Sequence, residues 1–180
     1  MKFREVTLAS GQSFQVAQGI QRIDSKSTHG WQVRCQGTKL FSDGESADAQ
    51  LSLAKATREL AARISAMPVP SGLKQGPSAH KTSDLPAGIS GPIVRQRTGR
   101  APSAVLSVLL PRFGMPAEVK TVHIGSENTY TVEKYLNALE KSTEMRAAAV
   151  KRYEQDAQKA HHSALVNLRK QVQALRTYRA

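Results

Sequence analysis

The sequence predicts an α+β protein: two small three-stranded-sheet-plus-helix units, joined by a Pro-rich linker, with a long basic C-terminal helix. Three observations carry this. Four of the eight prolines, at 68, 70, 77 and 86, fall between residues 65 and 87. Proline fixes φ and removes a donor, so neither a helix nor a central strand survives that spacing. The segments on either side follow one order of elements, short alternating stretches and then a helix. No Gly or Pro occurs from Ser126 to Ala180, where apolar residues recur at three- and four-residue steps. The expected divisions are 1–64, the linker 65–87, 88–156, and a separate basic helix over 157–180.

The first part opens with alternating stretches at Phe3–Leu8 and Ser13–Val16 around Ser10-Gly11-Gln12, a hairpin pattern. Gly19–Ile23 is the first strand of a sheet. Ser27-Thr28-His29-Gly30 turns the chain into Trp31–Cys35, where Trp31, Val33 and Cys35 share one face and Gln32 and Arg34 the other. Lys39-Leu40-Phe41 makes the short third strand. A helix follows from about Ala47 to Ile64, capped by Ser46 or Asp48. Its apolar stripe is Leu51, Ala54, Arg58, Ala61 and Ile64, widened by Leu53 and Leu60.

The second part repeats the plan. Gly88–Val94 is a strand, Arg95–Arg100 a basic turn, Ser103–Leu110 a strongly apolar strand and Val119–Gly125 the third. Asn128-Thr129-Tyr130-Thr131 caps a helix beginning near Thr131. That helix is continuous, or softly broken near His161-His162. Leu165, Leu168, Val172 and Leu175 have the 3-4-3 spacing of a coiled-coil seam, which suits a homodimer through the C-terminal helix or a fold back onto the body. The shared order of elements reads as a divergent duplication.

Charge bears on partners. Lys and Arg total 26 against 14 Asp and Glu, a net +12. Fifteen basic and seven acidic residues fall after position 87, against nine and six in residues 1–64. Such an excess attracts polyanions. From Ala157 onward, Lys159, Arg169, Lys170, Arg176 and Arg179 meet no acid, so Arg169, Lys170, Arg176 and Arg179 form a candidate phosphate-anchoring tail. The lone Cys35 forms no internal disulfide and suits a reducing cytoplasm. The N-terminus lacks a signal-peptide pattern and no apolar run reaches membrane-spanning length, so the expected location is cytoplasmic, beside the nucleoid if DNA is bound.

A three-stranded sheet backed by a helix has one uncovered face. The candidates for it are Arg22, Gln32, Arg34 and Lys39 in the first unit and Arg95, Arg97, Arg100 and Lys120 in the second. Such a sheet fits the major groove, where Arg pairs with guanine and Gln with adenine, while neighbouring cations hold phosphates. Any one of these residues is as readily an ordinary solvated strand charge. Trp31 suits contact with sugar or thymine methyl groups, though packing against the helix is the plainer role.

At these residues the chain resembles a known family. Gly19-Ile20-x-Arg22, Gly30-Trp31-x-Val33-Arg34, Phe41 and an Ala/Leu-rich helix with Ala54 and Ala56 resemble the AP2/ERF DNA-binding domain, in the form found in bacteriophage and homing-endonuclease proteins. Gly88-Ile89, Val122-His123-Ile124-Gly125 and Thr131-x-Glu133-x-Tyr135-x-x-Ala138-Leu139 resemble it again. The resemblance covers about 19–64 and 88–155. It implies sheet contact with the DNA major groove, with Arg22, Trp31 and Arg34 at contact positions, and a phage or prophage regulatory or accessory factor. The second unit departs from the pattern: it has no tryptophan and its middle strand, Val105–Leu110, is unusually apolar. No nuclease module of the kind often joined to such domains is visible.

Catalytic readings are weak. His29, His80, His123, His161 and His162 lack zinc-ligand spacing, and no phosphate loop or nucleophile elbow occurs. The expectation is a non-catalytic duplex-DNA-binding protein needing no cofactor or metal, with two linked units raising apparent affinity. One alternative is a protein-interaction or assembly module built on the apolar strand 104–110 and the C-terminal helix. The other is RNA binding.

Overall fold

The structure is a computed structural model that describes residues 1–69, 71–73, 76 and 83–177. The fold is α+β, with three small antiparallel sheets and two helices among the described residues, the second helix long. Part of the expected linker lies outside the described residues. Two compact units are formed, one by Met1–Pro70 with Gln158–Ala180 and the other by Ser71–Ala157.

In the first unit, β1 (Phe3–Thr7) and β2 (Ser13–Ala17) form the hairpin. Strands β3 (Ile20–Asp24), β4 (His29–Val33) and β5 (Lys39–Ser42) form a sheet in that order. Helix α1 (Ala49–Ala66) starts two residues later than the sequence pattern suggests. Asp48 caps it, its carboxylate accepting from the Leu51 N–H at 2.8 Å. The helix stops at Met67, where Pro68 cannot continue the ladder. Its buried stripe is centred on Leu53, Ala56, Leu60 and Ile64, while Leu51 and Arg58 face solvent. The expected stripe was thus rotated by one or two positions. Leu53 and Leu60, read there as its margin, are its axis.

The core joins both sheets to α1. Phe14, Val16, Ile20, Trp31 and Val33 pack on Leu53, Ala56 and Leu60. Phe14 meets Trp31 edge-on, with ring centroids 5.9 Å apart. Gly30 is required by close approach: a Cβ there would lie 2.3 Å from the Phe41 carbonyl oxygen. Cys35 lies beyond the end of β4 rather than inside it, half-buried at the edge of this core.

In the second unit, β6 (Ile89–Arg97), β7 (Arg100–Leu110) and β8 (Glu118–Ser126) form a sheet with β7 central. The expected basic turn over Arg95–Arg100 contracts to Thr98-Gly99, and the flanking arginines join the strands. Being central and helix-covered explains why β7 is so apolar. Leu106, Val108 and Leu110 meet Ala138, Leu139 and Met145 of α2 (Val132–Thr177). Thr131 caps α2, accepting from the Lys134 N–H at 3.2 Å.

Helix α2 runs without a break at His161-His162. Its last part belongs to the first unit, the fold back onto the body that the sequence left open beside a homodimer. Leu168 is fully buried with Phe14, Val16 and Trp31, and Leu165 and Leu175 pack beside it. The Gln50 amide donates to the Leu175 carbonyl at 2.6 Å. The heptad-like seam therefore serves intramolecular packing.

Candidate nucleic-acid interface

The pairing register decides which side chains face away from the helices. Directly paired residues of an antiparallel ladder share a face. Ile20 pairs with Val33 and Arg22 with Trp31. Trp31 pairs with Phe41, and Val33 with Lys39. Those six residues lie on the face that α1 covers. The uncovered face carries Gln21 opposite Gln32, and Leu40 beyond it. Arg34 continues this row: its N–H donates to the Gly19 carbonyl at 2.9 Å, which keeps it in register past the end of β4.

Three expected contact residues of the first unit are therefore misplaced. Trp31 is fully buried, and its Nε1–H donates to the Ala49 carbonyl at 2.7 Å, which rules out contact with a groove. Arg22 is sequestered on the same face, with only 12% of its side chain exposed. Its guanidinium donates to both oxygens of Asp24 and both oxygens of Asp43, and its Cζ lies 5.2 Å from the centre of the Trp31 ring. Burial opposes the charge on Arg22, but the hydrogen bonds and charges of the two carboxylates outweigh it and raise its pKa. Lys39 pairs with Glu59 of α1 at 3.2 Å. Arg63 pairs with the same carboxylate at 2.9 Å and also donates to the Cys35 carbonyl. Hydrogen bonds from Arg63 and Lys39 hold the Glu59 carboxyl below its ordinary range.

Gln32 and Arg34 stand where the sequence places them, and the Arg34 Nε–H donates to Gln32 Oε1 at 2.7 Å. That contact uses Nε, and the two terminal nitrogens of Arg34 make no hydrogen bond among the described residues. Gln21 belongs to the same row and was missed, because Ile20 and Ile23 have opposite parity and β3 alone does not say which residues face the helix.

In the second unit, Arg95 pairs with Ser103, and Val105 with His123, on the uncovered face. Exposed Arg95 and Arg100 line a shallow recess of about 300 Å³ with Ser103, Thr121 and His123. Those three polar residues were not expected to join the arginines. Arg97 lies in β6 opposite Arg100, but its side chain is outside the description. Lys120 departs from expectation. It pairs with Val108 and shares the parity of Val122 and Ile124, so it lies at the rim of the helix-covered face, 3.6 Å from Glu118.

Arg169, Lys170 and Arg176 are exposed on α2, and Arg179 lies outside the described residues. Among the described residues, no His, Cys, Asp and Glu side chains gather as a metal site, and no helix is long and apolar enough to cross a membrane. Comparison with protein-family models, curated proteins and solved structures found no match.

Proposed function

We propose that this chain is a non-catalytic duplex-DNA-binding protein, with the uncovered sheet faces as its contact surfaces. One observation carries the reading: cations are sorted by face. On the helix-covered side Arg22 is neutralised by Asp24 and Asp43, and Lys39 shares the Glu59 carboxylate with Arg63. Arg34, Arg95 and Arg100 are exposed on the uncovered side and have no ion-pair partner among the described residues. Paired cations contribute little external field, whereas unpaired ones on an open sheet are available to phosphates and base edges.

In this reading Arg34, Gln32 and Gln21 read base edges, while Arg95 and Arg100, with Arg169 and Lys170 of α2, hold phosphates. The sheet-then-helix order of both units agrees with the AP2/ERF resemblance, from which the phage or prophage regulatory role is taken, while two of the three contact positions it implies, Arg22 and Trp31, lie on the helix-covered face and only Arg34 remains on the open one. The competing assembly reading keeps Leu109 of its apolar strand, which is exposed beside Val119, but not the other leucines it would use. Leu106, Val108 and Leu110 are spent on the second unit's own core, and Leu168 on that of the first.

The test is fluorescence anisotropy of the full chain with a random labelled duplex across a salt series, competed by structured RNA. The expected result is binding that weakens steeply with salt, by roughly 10³-fold or more between 50 and 200 mM if six or more phosphates are contacted. No binding at low salt overturns the reading, and stronger competition by RNA than by duplex DNA replaces it with RNA binding.

A further inference from the structure

The first unit contains a second cationic feature beside the uncovered face. A cleft of about 400 Å³ opens where the end of the N-terminal hairpin meets β3. Lys2, Arg4 and Arg34 line it together with Phe3 and Gln21, and no acidic side chain does. None of these three cations has an ion-pair partner among the described residues. The hairpin end is fixed in place: the Gln18 N–H donates to the Lys2 carbonyl at 3.0 Å, and Arg4 Nη2 donates to the Ile20 carbonyl at 3.2 Å. Register separates Arg4 from Glu5, whose side chain leaves the other face of β1.

Three like charges around one concavity repel one another unless an anion enters. Arg34 and Gln21 belong both to this cleft and to the readout row. An anion held there is therefore adjacent to whatever the row contacts. We propose that the cleft clamps the phosphodiester backbone of the bound duplex, with Lys2 and Arg4 as phosphate contacts that fix the register of Arg34, Gln32 and Gln21. The proposal rests on the DNA-binding reading above and adds the hairpin to it as a working part.

The test uses the full chain and its Lys2→Ala, Arg4→Gln and Lys55→Ala variants. Lys55 is exposed on α1, on the opposite side of the sheet from the readout row. Anisotropy with the random duplex is measured over a salt series, with thermal melting beside it. Each lost phosphate contact makes the slope of log K against log salt shallower by about one. The expected result is that change for Lys2→Ala and for Arg4→Gln, with the slope of Lys55→Ala unaltered. Arg4→Gln also removes a hydrogen bond to β3, whereas the Lys2 ammonium makes none among the described residues, so Lys2→Ala decides if the Arg4 variant melts early. A wild-type slope in Lys2→Ala, or an equal change in Lys55→Ala, overturns the clamp while leaving DNA binding intact. Absence of wild-type binding overturns the reading beneath it.

Discussion

Arg22 lies directly opposite Trp31 in the β3–β4 ladder, so both side chains project toward α1 and the guanidinium rests 5.2 Å from the centre of the indole ring. That pairing turns a residue with the appearance of a DNA contact into part of the core's polar margin. Arg22 bridges Asp24 and Asp43, and Asp43 also accepts from Ser52 of α1. The network ties two strands and the β5–α1 connection together.

Removing Arg22 should therefore cost stability. Asp43 has 3% of its side chain exposed and would be left charged without its partner. Breaking a buried pair from one side costs about 3–5 kcal/mol. Arg22→Ala should lower the urea midpoint accordingly, while Asp24→Asn, at a 44% exposed position, should cost under about 1 kcal/mol. A wild-type midpoint for Arg22→Ala would show that the guanidinium is not held on the covered face.

Acid should act through the same region. Asp24 is held below its ordinary pKa, first by the Arg22 hydrogen bonds and then by His29, against an opposing burial effect. Glu59 is lowered by Arg63 and Lys39. A carboxyl with a depressed folded-state pKa stabilises the fold fully above its unfolded value and loses that contribution as pH falls through the folded value. Stability should be flat from neutrality to about pH 5 and decline below about pH 4. Melting temperatures taken from pH 7 to 3 test this, and Asp24→Asn should decline less steeply than wild type.

Gly30 is predicted to be intolerant of substitution. A methyl group at that position meets the Phe41 carbonyl at 2.3 Å, and backbone on both sides of β4 restricts relief. Gly30→Ala should destabilise the first unit by about 1–3 kcal/mol, the usual cost of overpacking. Gly11→Ala is the comparison that isolates packing, since nothing lies within 4 Å of a Cβ there and only its positive φ of +82° is strained. A milder effect at Gly30 than at Gly11 would contradict the register of β4 and β5.

Much of the fold was legible because its signals are local. The proline cluster, the alternation of Trp31, Val33 and their neighbours, and the unbroken run after Ser126 each report on a few adjacent residues. Register is a relation between strands, and β3 reads equally well in either phase because Ile20 and Ile23 have opposite parity. One step of phase moves every side chain to the other face, which is how Arg22 was exchanged for Gln21. Lys39-Leu40-Phe41 hides its phase in the same way. Lys120 was a different matter: its alternation with Val122 and Ile124 already placed it on the covered face. The partner of Leu168 was out of reach, since a heptad pattern specifies an apolar seam without saying which surface fills it.

Read discrimination should fall on Arg34. It is exposed on the uncovered face and is oriented by Gln32. A good bidentate contact to a base is worth about 1–3 kcal/mol of discrimination. In duplexes recovered by site selection with the wild-type chain, Arg34→Ala should lose preference over random duplex by roughly 10- to 100-fold, with Gln32→Ala and Gln21→Ala showing smaller losses. Arg100→Ala should instead weaken selected and random duplexes alike and reduce the salt slope by about one. Equal losses on both duplexes for Arg34→Ala would assign it to phosphate and remove base readout from this face.

Leu168 distinguishes the two uses of the C-terminal seam. It is fully buried, in the same core cluster as Phe14, Val16 and Trp31. Truncating a buried leucine costs about 2–5 kcal/mol, the larger values where the cavity cannot collapse. Leu168→Ala should therefore lower the unfolding midpoint of the first unit at every protein concentration, with the same sedimentation mass as wild type. Because the contact is intramolecular, dilution should not change the size of the effect. A melting temperature that rises with concentration in the wild type, and ceases to do so in Leu168→Ala, would mean that the seam pairs between chains. The cations Arg169 and Lys170 flank this leucine on the exposed side of α2. The docking that buries Leu168 is thus also what fixes their position in the first unit, and Leu168→Ala should weaken duplex binding more than it alters sequence preference.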